Sequence, residues 1–167
     1  VEFFDETYCG YIDSNTLRAG YPESKRCGEA LCQAYKKQEN LDVVIPRFTR
    51  SYGPTMLKTD TKAISQFIKK AVDGENIVLK SAGTQYYSYT YVADAVAGFL
   101  TVLLKGESGE AYNIADEASD IMLKDLAKII ADFASKEVVF ELPDETEKAG
   151  YSKATKARLD GSKLKKL

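Results

Sequence analysis

The run LDVVIPRF, residues 41–48, constrains the fold more than any other stretch of the chain. It is short, apolar and β-branched, and it reads as a strand covered on both faces, as parallel sheets require. Just before it, ESKRCGEALCQAYKKQ sets Cys27, Leu31, Ala34 and Tyr35 near one helical face. Pro22 suits the first turn, where its missing N–H costs nothing, so a helix is expected over about 21–38. After the strand, RSYGPTM turns the chain at Gly-Pro.

The alternation then continues. Ala63, Ile64, Phe67, Ile68 and Ala71 recur at helical spacing up to Gly74, and NIVLK (76–80) follows as a short strand. YYSYTYV (86–92) is rich in β-formers and puts Tyr87, Tyr89 and Tyr91 on one side. Val96, Phe99, Leu100, Leu103 and Leu104 make a further helix face closed by Gly106, and EAYNIA (110–115) is a strand. Leu123, Leu126, Ala127, Ile130 and Phe133 stripe another helix, EVVFELP (137–143) is a last strand, and a short basic helix is expected near the end. Helices alternating with strands over the whole chain indicate an α/β fold with at least some parallel pairing. A buried parallel strand needs neighbours on both edges. The first 20 residues offer no clear element to supply one, and LDGSKLKKL stops inside an apparent helix. The expectation is therefore a piece of a longer protein.

At 167 residues and 44% hydrophobic, the chain is long enough for one domain with a proper core. A net charge of −2 offers no broad basic field for nucleic acid or anionic lipid. No apolar run reaches a membrane span, and VEFFDETYCG lacks the basic flank and apolar core of a signal peptide. Cys9, Cys27 and Cys32 show no Cys-x-x-Cys spacing, so neither a disulfide framework nor a zinc site is expected, and reduced thiols point to the cytoplasm. There is no histidine, which removes the commonest general base at neutral pH. Acid–base chemistry here must use Tyr, Lys, Asp or Glu.

That directs attention to Tyr21 and Lys25 in LRAGYPESKRCGEAL. At i and i+4 they share one helix face. With 11 tyrosines in the chain, one such spacing is what chance gives, so the spacing alone does not separate a catalytic pair from two surface residues. Context separates them. YPESKRCGEALCQAY, VVIPRFTRSYGP, SAGTQYYSYTYVADAV, YNIADE and ARLDGSKLKKL resemble, in order and spacing, the second half of extended short-chain dehydrogenase/reductases. More narrowly they resemble the NAD-dependent nucleotide-sugar epimerase/dehydratase family.

The resemblance implies the C-terminal part of a Rossmann-type fold plus the smaller α/β sugar-nucleotide-binding domain. Residues 1–55 would end the nucleotide-binding domain. Residues 56–167 would be mainly substrate-binding, with 92–106 a helix returning toward the cofactor domain. The glycine-rich loop that cradles the NAD pyrophosphate is absent from these 167 residues, so NAD would be bound mainly by a half not in this sequence. Tyr21 would take the proton of the sugar C4 hydroxyl, while Lys25 favours the phenolate and bonds the nicotinamide ribose. The substrate would be a nucleotide sugar.

Four residues are carried over as substrate-binding: Arg50, Thr55, Gln85 and Tyr87. Arg50 stands where the family usually has Asn, Thr55 where an Arg often follows Gly-Pro, and Tyr87 in place of an Arg that binds the diphosphate. Lys58, Lys62 or Arg50 are the cations available to compensate. The tyrosine cluster is either a half-buried strand face or a stacking surface for a base. Asp94 matches a family Asp and is expected to cap the helix that follows. Cys27, Leu31 and Ala34 suit a homodimer interface. Two readings stay open: part of an NAD-dependent dehydratase or epimerase, inactive as an isolated chain, or a binding or assembly module that keeps the fold without the chemistry.

Overall fold

In the computed structural model, which describes residues 2–143 and 155–167, α1 spans Gly20–Glu39 and ends at Asn40 in the left-handed conformation. β1 (Ile45–Phe48) takes only the second half of LDVVIPRF, and of its residues only Ile45 is buried. The doubly covered strand expected there is half open, with Phe48 49% exposed. Its partner is β5 (Ala111–Ile114), parallel, with Ile45 opposite Ala111.

The Arg-Ser-Tyr read as part of a turn is instead a strand, β2 (Arg50–Tyr52), parallel to β4 (Tyr86–Tyr91) with Arg50 opposite Tyr89. β4 also pairs antiparallel with β6 (Asp120–Met122) and parallel with β8 (Lys156–Ala157). β3 (Ile77–Leu79) and β7 (Val138–Phe140) form a separate parallel pair. Two- and three-residue strands such as β6 and β8 carry too little alternation to stand out in a sequence.

α2 (Ala63–Val72) and α4 (Leu123–Phe133) pack together over β3. Their stripes meet in one core of Phe67, Ile77, Leu79, Leu123, Ala127 and Ala131. The alanines at 127 and 131, one turn apart, keep that helix face low against the sheet. A second cluster joins Ile64 to Tyr87 and Tyr89 of β4.

α3 (Val92–Lys105) behaves differently. It buries Ala95 and Val102, whereas the stripe of Val96, Phe99, Leu100, Leu103 and Leu104 faces outward. Its N-cap is Tyr91, with no side-chain capping bond, and Asp94 lies exposed in the first turn. The expected cap is thus absent, and Asp94 is left with only its favourable position near the positive end of the helix dipole.

The first residues carry no helix or strand beyond a single bridge, Phe4 to Leu159. They are held by polar contacts instead. Asn113, 1% exposed, donates its side-chain amide to the carbonyls of Phe4 and Asp160, both at 3.0 Å. Arg158 donates to Asp120 (2.8 Å) and Glu2 (3.0 Å) between the rings of Phe3 and Tyr86. The expected basic helix near the end is one 3₁₀ turn, Leu164–Lys166.

Candidate functional site

β2, β4, α2 and the end of β3 enclose a cavity of about 1020 Å³. Its apolar wall is Ile64, Phe67, Leu79 and Leu123, and its polar wall includes Gln66, Ser81, Gln85, Tyr87 and Tyr89. Three of the four residues proposed to meet substrate, Arg50, Gln85 and Tyr87, line this one space. Thr55 is not among the lining residues. It is exposed in the turn after β2, with φ of 71°.

Gln85 is aimed by its loop. Gly83 adopts φ of 67°, and a Cβ there would lie 2.7 Å from that of Lys124. The tight approach lets the Gly83 carbonyl accept from Lys124 N–H at 2.9 Å, and the Gln85 carbonyl accept from Leu123 N–H at 2.9 Å. The start of α4 thereby fixes the loop on the cavity.

Tyr87 is 7% exposed, and the carbon of the Arg50 guanidinium sits 3.5 Å from its ring centroid. Tyr89, one strand period further along, is also buried. Burial pushes its phenol above the ordinary value, with Arg50 pulling the other way and Tyr87 adding to the rise. Tyr89 therefore stays a neutral hydroxyl at physiological pH.

Tyr21 and Lys25 open α1. Tyr21 is 74% exposed, and the Lys25 ammonium lies 5.4 Å from its ring centroid, so the two side chains share a face. Neither lines the cavity, but Arg18, in the segment leading into α1, does. The cavity wall thus reaches to within three residues of Tyr21.

α1 itself is fixed by polar ties. Arg47 of β1 donates to both oxygens of Glu29, at 2.8 and 2.6 Å, and to the Glu6 carbonyl at 3.0 Å. Those Glu29 bonds hold the Arg47 guanidinium above its ordinary pKa against the opposing effect of burial. Gln33 donates to the Gly109 carbonyl and Lys36 to the Ser108 carbonyl, both at 2.6 Å.

Sequence reasoning passed over Arg18, Lys80 and Glu141. Arg18 lies in an irregular segment and the other two flank short strands, so no periodicity marked them. Among the described residues, no cluster of three or more His, Cys, Asp or Glu side chains is placed to hold a metal ion. No helix there is long and apolar enough to cross a membrane.

Residues 5–115 match the model of the NAD dependent epimerase/dehydratase family. UDP-glucuronic acid decarboxylase 6 of Arabidopsis thaliana is 30% identical over 141 residues, covering 84% of this chain and 40% of its own length. The dTDP-D-glucose 4,6-dehydratase of Mus musculus is 34% identical over 142 residues, covering 79% of this chain and 39% of its own. The crystal structure of a dTDP-glucose 4,6-dehydratase from Streptomyces venezuelae, with NAD bound, superposes with a TM-score of 0.77. It covers 98% of this chain and 48% of that one at 24% identity, a likeness of fold. The chain thus spans about 40% of the length of these curated relatives.

Proposed function

The chain belongs to the NAD dependent epimerase/dehydratase family, and from that premise we propose that it is the substrate-side portion of a nucleotide-sugar lyase or isomerase. Tyr21 is its base, and Arg50, Gln85 and Tyr87 form the substrate wall. Residues 1–55 end the nucleotide-binding part, and residues 56–167 are mainly substrate-binding. The helix within 92–106 returns toward the former, a reading supported by the packing of α3 on β1 and β2.

The residues present fit the ribose end of NAD and not its pyrophosphate. Among the described residues no carboxylate pairs with the Lys25 ammonium, and its Nζ stands beside an open phenol. Those are donors suited to ribose hydroxyls. No glycine-rich loop to cradle a pyrophosphate occurs in the sequence. Bound NAD would supply a hydride acceptor for the sugar carbon. Tyr21 Oη, as phenolate, takes the proton from the C4 hydroxyl and becomes a phenol, and the Lys25 charge, one helical turn on, favours the phenolate that starts the step. The ties from Glu29, Gln33 and Lys36 fix the helix that carries both groups.

The observation that carries this reading is the convergence of Arg50, Gln85 and Tyr87 on one cavity whose wall also includes Arg18, just ahead of the Tyr21 turn. Location of Tyr21 off that wall favours a second reading, a module that binds nucleotide sugars without turnover. The test is turnover by the full-length protein carrying this sequence, given NAD and UDP-, dTDP-, GDP- and CDP-sugars. Tyr21→Phe is expected to lower kcat by about 100-fold or more. Tight binding with no turnover in the unmodified protein favours the module. The isolated 167 residues are expected to turn nothing over. A homodimer through the side of α1 that carries Cys27, Leu31 and the half-buried Ala34, in the cytoplasm, completes the proposal, and light scattering checks the assembly.

A further inference from the structure

Three arginines of this molecule make contrasting contacts. Arg47 holds a carboxylate fork and a carbonyl, and Arg158 holds two carboxylates. Arg50 is half-buried at the cavity wall, and among the described residues no carboxylate or carbonyl accepts from it. Its contact is the Tyr87 ring, at 3.5 Å. At that distance the guanidinium must lie flat, because an edge-on approach would drive an N–H into the ring. A flat stack covers one face of the cation and leaves its in-plane N–H donors free to act. A half-buried cation without a counter-charge bears a desolvation penalty that an anionic ligand removes.

The surroundings agree in sign. Among the described residues, Arg18, Arg50, Lys62, Lys70 and Lys80 line the cavity, against the single carboxylate of Glu141. Lys62 is engaged by Asp60 and Lys70 by Glu75, so these two are largely neutralised. Arg50 is different: it sits on a strand, braced by a buried ring, and is pre-organised where the flexible lysines are not.

We propose that Arg50 and Tyr87 act as one anion-recognition unit, in which the ring holds the guanidinium flat so that its edge clamps a phosphate oxygen of a nucleoside diphosphate. This rests on the reading of the cavity as a nucleotide-sugar site. It adds that the charge is delivered from β2 and oriented from β4, whose Tyr89 lies opposite Arg50. The two residues are therefore interdependent, and a point charge at position 50 does not suffice.

The test is calorimetric titration of the 167-residue chain with UDP, uridine and inorganic pyrophosphate, with thermal melts to confirm folding of each variant. UDP and pyrophosphate are expected to bind and uridine to bind at least about 10-fold more weakly than UDP, since charge-assisted bonds carry the affinity. Arg50→Gln is expected to weaken UDP by about 10-fold or more, and Arg50→Lys by about 5-fold despite keeping the charge, because the planar fork is lost. Tyr87→Leu is expected to weaken UDP by about 3-fold or more through the freed guanidinium. The exchange R50Y/Y87R, which keeps one ring and one guanidinium over the cavity, is expected to recover part of the Arg50→Gln loss. Lys58→Gln, off the cavity wall, is expected to change nothing. Undiminished UDP affinity in Arg50→Gln overturns the unit while leaving the nucleotide cavity standing, and equal affinity in Arg50→Lys overturns the planar clamp. Failure of UDP to bind the unmodified chain removes the cavity reading and the unit together.

Discussion

α1 and α4 both carry an apolar stripe in the sequence, weak in α1 and strong in α4, and they meet opposite fates in the molecule. α4, 11 residues long, buries Leu123, Ala127 and Ala131 against Phe67, Ile77 and Leu79. α1, 20 residues long, buries none, and α3 leaves Leu103 55% and Leu104 79% exposed. The lobe of α2, α4 and β3 is therefore held by apolar area, which is non-directional and scales with surface removed from water. The helix carrying Tyr21 and Lys25 is held by Arg47, Gln33 and Lys36, bonds that set position and rotation but add little stability. The contrast separates two ways of holding an element: apolar burial in one region and directional polar bonds in the other.

The sharpest way to break this contrast is to cut equal-sized holes in both regions. Ile77→Ala is expected to cost about 2–5 kcal/mol in urea unfolding, because the side chain is fully enclosed. Leu103→Ala on the open face of α3 is expected to stay within about 0.5 kcal/mol. Similar losses would mean that the α3 stripe is covered and the distinction is false. Next in size, Arg47→Ala removes the Glu29 fork and the Glu6 contact, and is expected to cost about 1–2 kcal/mol. Amide exchange should quicken in α1 and remain unchanged in α4; uniform quickening would show that α1 shares the lobe's core. A further effect, opposite in sign, lies in the turn leading from β2 toward α2. Thr55 holds φ of 71°, a left-handed conformation unfavourable for a β-branched residue. Thr55→Gly is expected to raise stability by about 1 kcal/mol, read as a higher melting temperature.

The elements longest in the sequence were the most legible. The stripes of α2 and α4, the end of α3 at Gly106 and the strands β3, β4, β5 and β7 all lie where periodicity put them, within two residues or so. β2, β6 and β8 did not show: β3 and β7 are as short but sit in the apolar β-branched runs NIVLK and EVVFELP, whereas these three lie in no such run and owe their existence to the neighbour they pair with. Burial was read less well than structure. Val96 through Leu104 has an unmistakable helical stripe, yet a stripe states only that a face is apolar, not which partner covers it. For the cavity, Arg50, Gln85 and Tyr87 were nameable from the order of motifs. The stacking of Arg50 on Tyr87 was not, because they are brought together by pairing between strands far apart in sequence.

Asn113 has a consequence for the order in which this polypeptide can be finished. Its amide gathers one carbonyl from residue 4 and another from residue 160, while its own backbone N–H is taken by Glu6. A ribosome making this sequence N-terminus first must release residue 160 before that polar group, enclosed in the centre of β5, has both acceptors. Until then water must satisfy that amide, so the enclosure of β5 waits on residue 160, and a chain stopped short of it would leave the strand chemically incomplete rather than merely shorter.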